Sequence, residues 1–183
     1  GRDLHALIAT LNTAGGLNPI AQNLSAKERT QLLTDAKKTG SAERGREIYH
    51  RKSLLCATCH LIDNQGGKLG PDLTTVGSYM TPESLLESLL NPSSSIKQGY
   101  ETVLVTTKDK ALLAGLLQRK TGDSLLLRDT TGKVTAIPNR NVGKIDISPV
   151  SLMPPGLTAS LRRDEMIDLL RFLTSLGVKV KAL

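Results

Sequence analysis

Apolar residues recur at helical spacing near the start of the chain. Residues 1–40 carry two short apolar stripes, separated by Gly15-Gly16. The second stripe begins at Ser25-Ala26-Lys27-Glu28, a capping box in which the serine and glutamate side chains satisfy free amide groups of the first turn. The pattern therefore predicts two helices in residues 1–40, and the apolar positions that follow predict a third over residues 41–53.

Two further helices are predicted downstream. Thr81-Pro82-Glu83 combines an N-cap, a proline at the first helical position and an acid that the helix dipole favours. This helix ends at Asn91-Pro92, because the residue before a proline avoids the helical conformation. Near the end of the chain, apolar residues at i, i+3, i+4, i+7 and i+10 predict an amphipathic helix. Its stripe consists of Met166, Leu169, Leu170, Leu173 and Leu176.

Between residues 98 and 149 the pattern changes to short, partly alternating apolar runs separated by polar turns. The runs cover residues 100–107, 111–118, 124–128, 134–137 and 142–147. They predict an antiparallel meander of four or five strands. The side chains expected to point inward are Leu104, Leu113, Leu116, Leu126 and Ile137.

The order of these elements predicts the domain organisation. Residues 41–183 form one helical domain, and residues 98–149 are a β insert within it. We expect Gln98 and Val150 to lie close together, since an insert is tolerated when its ends meet. Residues 1–40 are either a helical extension or the end of a preceding domain.

Composition and charge narrow the class of protein. The 183 residues carry a formal charge of +7 and only 2% aromatic residues, and the basic excess is spread thinly. Nucleic-acid binding is not expected, because it needs a clustered basic face with stacking aromatics. Docking on acidic protein partners fits better. No apolar run approaches the roughly 20 residues of a membrane span, and no signal peptide is visible at Gly1. The chain is therefore expected to be a mature form or part of a larger polypeptide.

One motif carries specific chemistry. Cys56-Ala57-Thr58-Cys59-His60 is C-x-x-C-H, the attachment signature of c-type haem. Two thiols three positions apart reach the two vinyl groups on one porphyrin edge, and the adjacent histidine lies under the iron. A thioredoxin-like redox pair would follow a strand of a βαβ unit, which is not predicted here. A zinc site would need further cysteine or histidine ligands at sensible spacing.

The remaining ligand positions are less constrained. Axial histidines usually donate their second ring N–H to a carbonyl or carboxylate, and the Pro71 carbonyl, in Gly70-Pro71-Asp72-Leu73, is the expected acceptor. For the sixth iron ligand we favour Met153, which lies in a proline-rich loop before the last helix, with Met80 second. The other candidates are Met166, His5 and His50.

Together these residues resemble class I c-type cytochromes. The frame comprises Gly45, Tyr49, Cys56 to His60, Gly70 to Leu73, Met153-Pro154 and Leu169 to Leu173. In that family a glycine and an aromatic residue of the first helix cross the last helix, and Gly45, Tyr49 and Phe172 hold the matching positions. Residues 41–178 resemble more narrowly the putative haem-binding domain of planctomycetes and verrucomicrobia, which has a β insert before the methionine loop. One departure is Arg162, where the family often has a serine or threonine cap.

The resemblance implies a fold and a function. The expected fold is a mostly α class I cytochrome c fold with a small inserted β meander, which is expected to cover one haem face or to serve as a docking surface. The expected cofactor is one covalent haem c with His60 and Met153 as iron ligands. We expect a one-electron carrier, with no catalytic residue of its own, between a dehydrogenase donor and a respiratory acceptor. Covalent attachment implies a periplasmic or otherwise exported protein.

Two other functions remain open at this point. A haem-based sensor or small-ligand binder would have an open or displaceable sixth position. A haem peroxidase is less expected, because bacterial peroxidases of that class generally carry two haem motifs and this chain has one.

Overall fold

A computed structural model describes residues 23–178, and the predicted helix near residues 4–11 lies outside this range. The described α-helices are α1 (Ala26–Thr39), α2 (Ala42–Tyr49), α3 (Cys56–Cys59), α4 (Val76–Tyr79), α5 (Pro82–Leu90) and α6 (Arg163–Ser175). The strands are β1 (Leu61–Ile62), β2 (Gln65–Gly66), β3 (Thr102–Thr107), β4 (Leu112–Lys120), β5 (Ser124–Arg128), β6 (Val134–Pro138) and β7 (Val142–Ser148). Short 3-10 helices cover Lys52–Leu54 and Asn139–Asn141.

Helix α6 is the centre of the helical layer. Most of its apolar stripe is buried, with Met166, Leu169 and Leu170 at 0% exposure, whereas Leu176 at its end is only partly buried. Helix α2 crosses α6 closely, since a Cβ on Gly45 would lie 2.0 Å from the Asp168 carbonyl oxygen. A side chain at residue 45 would therefore force the two helices apart.

A buried carboxylate fixes the start of α2 against α6. Asp168 is 4% exposed and accepts the Ser41 backbone N–H at 2.7 Å. Its oxygens also accept from Arg44 Nε at 2.6 Å and Arg44 Nη2 at 2.9 Å. Because a buried carboxylate is costly without partners, these bonds tie α6 to the N-terminus of α2.

The five-stranded antiparallel sheet has the order β6-β5-β4-β3-β7. Strands β6 and β7 lie at opposite edges, yet only the turn Asn139–Asn141 joins them. The sheet must therefore curl strongly, because a flat sheet of five strands would hold its edges too far apart for so short a link. Its inner face encloses a separate hydrophobic cluster of Val103, Val105, Leu125, Leu127 and Ile137.

The predicted mostly α cytochrome c fold is wrong. The described part of the chain combines six α-helices with the five-stranded sheet and the β1–β2 hairpin, which makes it a mixed fold of helices and strands. The prediction failed because it treated the strands as a cover over a helical core. They instead bury a hydrophobic core of their own.

The predicted set of inward-pointing side chains is only partly correct. Ile137 is buried within the sheet cluster, Leu113 packs against that cluster, and Leu116 is also buried, at 4% exposure. Leu104 and Leu126, however, point to the opposite face from their buried neighbours, because side chains alternate along a strand. The chain is also not a simple meander, since β7 returns to pair with β3.

Several local predictions need correction as well. The helix expected over residues 41–53 ends at Tyr49 and is followed by a 3-10 turn. The loop after the cysteines contains the β1–β2 hairpin. The start of α6 is capped without a hydroxyl side chain, because Glu165 Oε2 accepts the Arg162 backbone N–H at 2.9 Å.

Candidate functional site

A cavity of about 490 Å³ lies between the helical layer and the segments that flank the five-stranded sheet. This volume falls within the roughly 300–1,000 Å³ that is typical of small-molecule and cofactor sites. Most of the lining side chains are apolar. Those from the helical layer include Tyr49, Leu73, Val76, Leu85, Leu89, Leu169 and Leu173.

Both cysteines line this cavity from a single helical turn. Helix α3 begins after Leu55, whose φ of 57° lies in the left-handed region. Such a conformation is uncommon for a leucine and is typical of functional constraint. Cys56 and Cys59 then stand three positions apart on α3, as free and partly buried thiols.

The surroundings of the two thiols differ from those of a reactive cysteine. Burial raises the pKa of Cys56 to about 11, and burial also raises the pKa of Cys59. Neither thiol therefore has the lowered pKa that is typical of reactive cysteines. Within residues 23–178, no cluster of three or more histidine, cysteine or carboxylate side chains could hold a metal ion.

The His60 ring is held in a defined orientation. Its Nδ1 lies 2.8 Å from the Pro71 carbonyl oxygen, which is the contact expected from the sequence. A carbonyl can only accept, so Nδ1 carries the proton and Nε2 keeps its lone pair. Gly70 packs directly on the ring, since a Cβ there would lie 2.3 Å from Cε1. Burial lowers the His60 pKa, and the bond to Pro71 partly opposes this effect.

Backbone hydrogen bonds fix the loop that carries Pro71. Gly67 and Gly70 donate their N–H groups to the carbonyls of Ala57 and Cys59, at 3.0 and 2.7 Å. The close approach also excludes a side chain at residue 67, where a Cβ would lie 1.7 Å from the Thr58 oxygen. The acceptor for His60 is thus part of a rigid unit with α3.

Two of the candidate sixth ligands line the cavity. Met153 and Met80 both do so, and the Met153 N–H donates to Ser151 Oγ at 3.1 Å. Met166 is fully buried in the helical core. His50 is exposed and stacks edge-on against Tyr49. His5 lies outside the described residues.

The sheet does not cover the cavity in the predicted way. Among the described lining residues none belongs to β3–β7, and Tyr100 is the only one from residues 98–149. The cover comes from residues 92–100 and 151–157, which flank the sheet. These two segments are joined by a hydrogen bond from the Ser151 N–H to Ser93 Oγ at 3.0 Å. The lining of the cavity therefore gives no support to the prediction that the sheet itself shields a cofactor face, and that prediction stays untested.

The sequence analysis missed two charged residues of the site, Lys97 and Glu87. Lys97 is the only lysine or arginine among the described residues that line the cavity, and its Nζ lies 5.3 Å from the centre of the Tyr79 ring. Glu87 also lines the cavity, where hydrogen bonds from Arg29 and Asn91 lower its pKa. Lys97 follows a polar Ser-Ser-Ser run without any motif, so only its three-dimensional position reveals it.

Comparison with known proteins does not assign the chain to a family. No model of a known protein family matches the chain, and no curated protein matches it in sequence. Across residues 23–178, no helix has the length and apolar character needed to cross a membrane.

Proposed function

We propose that this chain binds one haem c covalently and acts as a one-electron carrier. A single observation supports this most: Cys56, Cys59 and His60 line one apolar cavity of cofactor size, into which Met153 also reaches. The motif order shared with c-type cytochromes supports the same assignment.

The residues present fit this cofactor. Two neutral thiols on one turn suit thioether bonds to vinyl groups, and the free lone pair on His60 Nε2 suits an axial iron ligand. The Pro71 carbonyl would fix the ring of that ligand, as partners of metal-bound histidines usually do. When bound, haem supplies reversible one-electron chemistry at iron.

The work of the protein side chains is then positional and electrostatic. Met153, or Met80 in its place, would supply a thioether that favours the reduced state. The apolar lining would exclude water from the haem. Lys97 would offset negative charge on the haem. No side chain is needed as a general acid, base or nucleophile, so the chain is proposed as an electron-transfer domain without enzymatic activity.

The proposal extends to location and partners. Covalent attachment of haem takes place outside the bacterial cytoplasm, so the protein would be periplasmic or otherwise exported. Its partners would be a dehydrogenase as donor and a respiratory acceptor, and one of these could belong to the same polypeptide.

Acid-acetone extraction of the denatured protein tests the central claim. Haem should stay with the polypeptide in the unmodified chain and be lost from the Cys56→Ala/Cys59→Ala variant. Extraction of all haem from the unmodified chain would refute covalent attachment.

A second measurement separates the carrier from a haem-based sensor. Carbon monoxide should bind the reduced protein slowly and incompletely if a methionine occupies the sixth position. Rapid and complete binding would favour the sensor.

A further inference from the structure

The free edge of the five-stranded sheet has an unusual composition. Strand β7 pairs with β3 on one side, and in the described part of the chain no strand pairs with its other side. Such an edge is a template for another strand. It carries two large exposed apolar side chains, Ile145 at 42% and Ile147 at 69%.

The isoleucines extend the apolar inner face of the sheet. Ile145 pairs with Val105 and Ile147 pairs with Val103, and directly paired residues share one face. Val103 and Val105 are buried in the sheet cluster. The inner face therefore continues to the edge without a covering element.

The other face of β7 carries one positive and one negative charge. Lys144 and Asp146 alternate with the isoleucines, and Lys144 Nζ lies 2.8 Å from Asp146 Oδ1. The Lys144 side chain is 72% exposed. Edge strands are commonly protected by charged side chains, proline or β-bulges. Val142–Ser148 has no proline, its two charges cancel, and its pairing with β3 shifts only near the start of β7, between Thr106 and Thr107.

We propose that β7 pairs antiparallel with β7 of a second copy of this chain, about a two-fold axis at Ile145. This register places Lys144 opposite Asp146 of the second copy, and the symmetry produces that pair twice. Ile145 lies opposite its own copy, and Ile147 lies opposite Gly143. Both the charges and the apolar side chains of the strand are then self-complementary.

Other registers are less favourable. An axis at Lys144 or at Asp146 would set like charges directly opposite each other, which is destabilising. A shift of the pairing by one residue would place the isoleucines of one copy opposite the charged residues of the other. An axis at Ile147 would pair Ile145 with Pro149, which lacks an N–H donor. Charge complementarity thus selects the axis at Ile145, and the resulting contact is closed and isologous.

This interface does not depend on the proposed cofactor. No described strand residue lines the cavity, so two copies can pair through β7 with the cavity free. Failure of the dimer would therefore leave the haem proposal unchanged, and the reverse also holds.

Charge substitutions in the full chain, as isolated, test the proposal. Sedimentation velocity over a range of concentrations should show a monomer–dimer equilibrium for the unmodified chain. Lys144→Glu alone and Asp146→Lys alone should each weaken dimerisation by about tenfold or more, because two attractive pairs become repulsive. Lys133→Glu makes the same charge change in the exposed turn between β5 and β6, outside β7, and should leave dimerisation unchanged.

Mixing the two weakened variants gives the decisive result. In a mixed dimer Glu faces Lys at one pair and Asp faces Lys at the other, so native mass spectrometry should show the heterodimer restored. Circular dichroism confirms that each variant remains folded. A chain that stays monomeric, single variants that dimerise normally, or a mixture that forms no heterodimer would each overturn the proposal.

Discussion

At the scale of single residues, His60 is constrained from two sides. Pro71 accepts its Nδ1–H, and Gly70 leaves no space between the backbone and the ring. The sequence predicted the Pro71 contact, because a Gly-Pro turn at this distance from the histidine can place a backbone carbonyl against the second ring N–H. It could not predict the packing of Gly70 on the ring, which depends on how the loop folds back.

Gly70→Ala should disrupt this arrangement. The added Cβ would overlap the imidazole, so the ring must move and its bond to Pro71 must lengthen or break. We expect the free energy of unfolding in urea to fall by about 1–3 kcal/mol, as for other overpacked sites. Gly122→Ala is the matched control, because nothing lies within 4 Å of its Cβ position. An equal loss of stability in both variants would show that the His60 contact is unimportant.

Met153→Ala tests the choice of sixth ligand. If Met153 supplies the sulfur, the oxidised protein should lose its weak near-infrared sulfur-to-iron band, and the reduction potential should fall. Absorption spectroscopy and potentiometric titration measure the two effects.

Met80→Ala and Met166→Leu complete that comparison. Met166 is buried in the helical core and does not line the cavity, so its volume-conserving replacement should keep the band. Loss of the band in the Met80 variant, with its retention in the Met153 variant, would reassign the ligand.

At the scale of elements, the sequence predicted correctly those features that depend on residues a few positions apart. The capping box at Ser25 is present as predicted, with the Glu28 side chain accepting the Ser25 N–H at 2.8 Å. The stripe of the last helix faces the core as predicted. These features depend on residues a few positions apart, so sequence alone defines them.

The strand register could not be read in the same way. Val103-Leu104-Val105 and Leu125-Leu126-Leu127 are continuous apolar runs, in which alternation cannot distinguish the two faces. The buried face was therefore decided by pairing with distant strands and by the curl of the sheet. That information is absent from local periodicity.

Asp168→Ala should loosen α2 from α6. The substitution leaves the Ser41 N–H without its acceptor, so we expect the free energy of unfolding to fall by about 1–3 kcal/mol. Arg44→Ala leaves the Asp168 carboxylate buried without its guanidinium partner, so it should also lower the free energy of unfolding, although the Arg44 side chain is itself 63% exposed. Chemical denaturation measures both variants. An unchanged free energy of unfolding in either variant would show that Asp168 does not hold α2 against α6.

At the scale of the whole molecule, residues 23–178 contain two hydrophobic cores that share no residue. The pattern along the chain predicted one helical core because the helices carry recognisable caps and apolar stripes. The strands carry no comparable motif, and their burial becomes visible only when β7 closes the sheet onto β3. This explains why the longer of the described helices were predicted, while the fold class was predicted wrongly.

The separate cores predict that the sheet can be removed without loss of the cofactor site. Thr102 pairs with Ser148, so the two ends of the sheet lie roughly 4.5–5.5 Å apart at their Cα atoms, and a short Gly/Ser linker can replace residues 102–148. Tyr100 and Met153, which line the cavity, both remain.

We expect this shortened chain to fold, to keep haem attached and to retain the near-infrared band and potential of the full chain. The reason is that the cavity is covered by residues 92–100 and 151–157, which the deletion leaves in place. Extraction, absorption spectra and potentiometry compare the two chains. A lower potential with haem still attached would mean that the sheet excludes water from the site. Loss of the dimer alone would instead agree with pairing through β7.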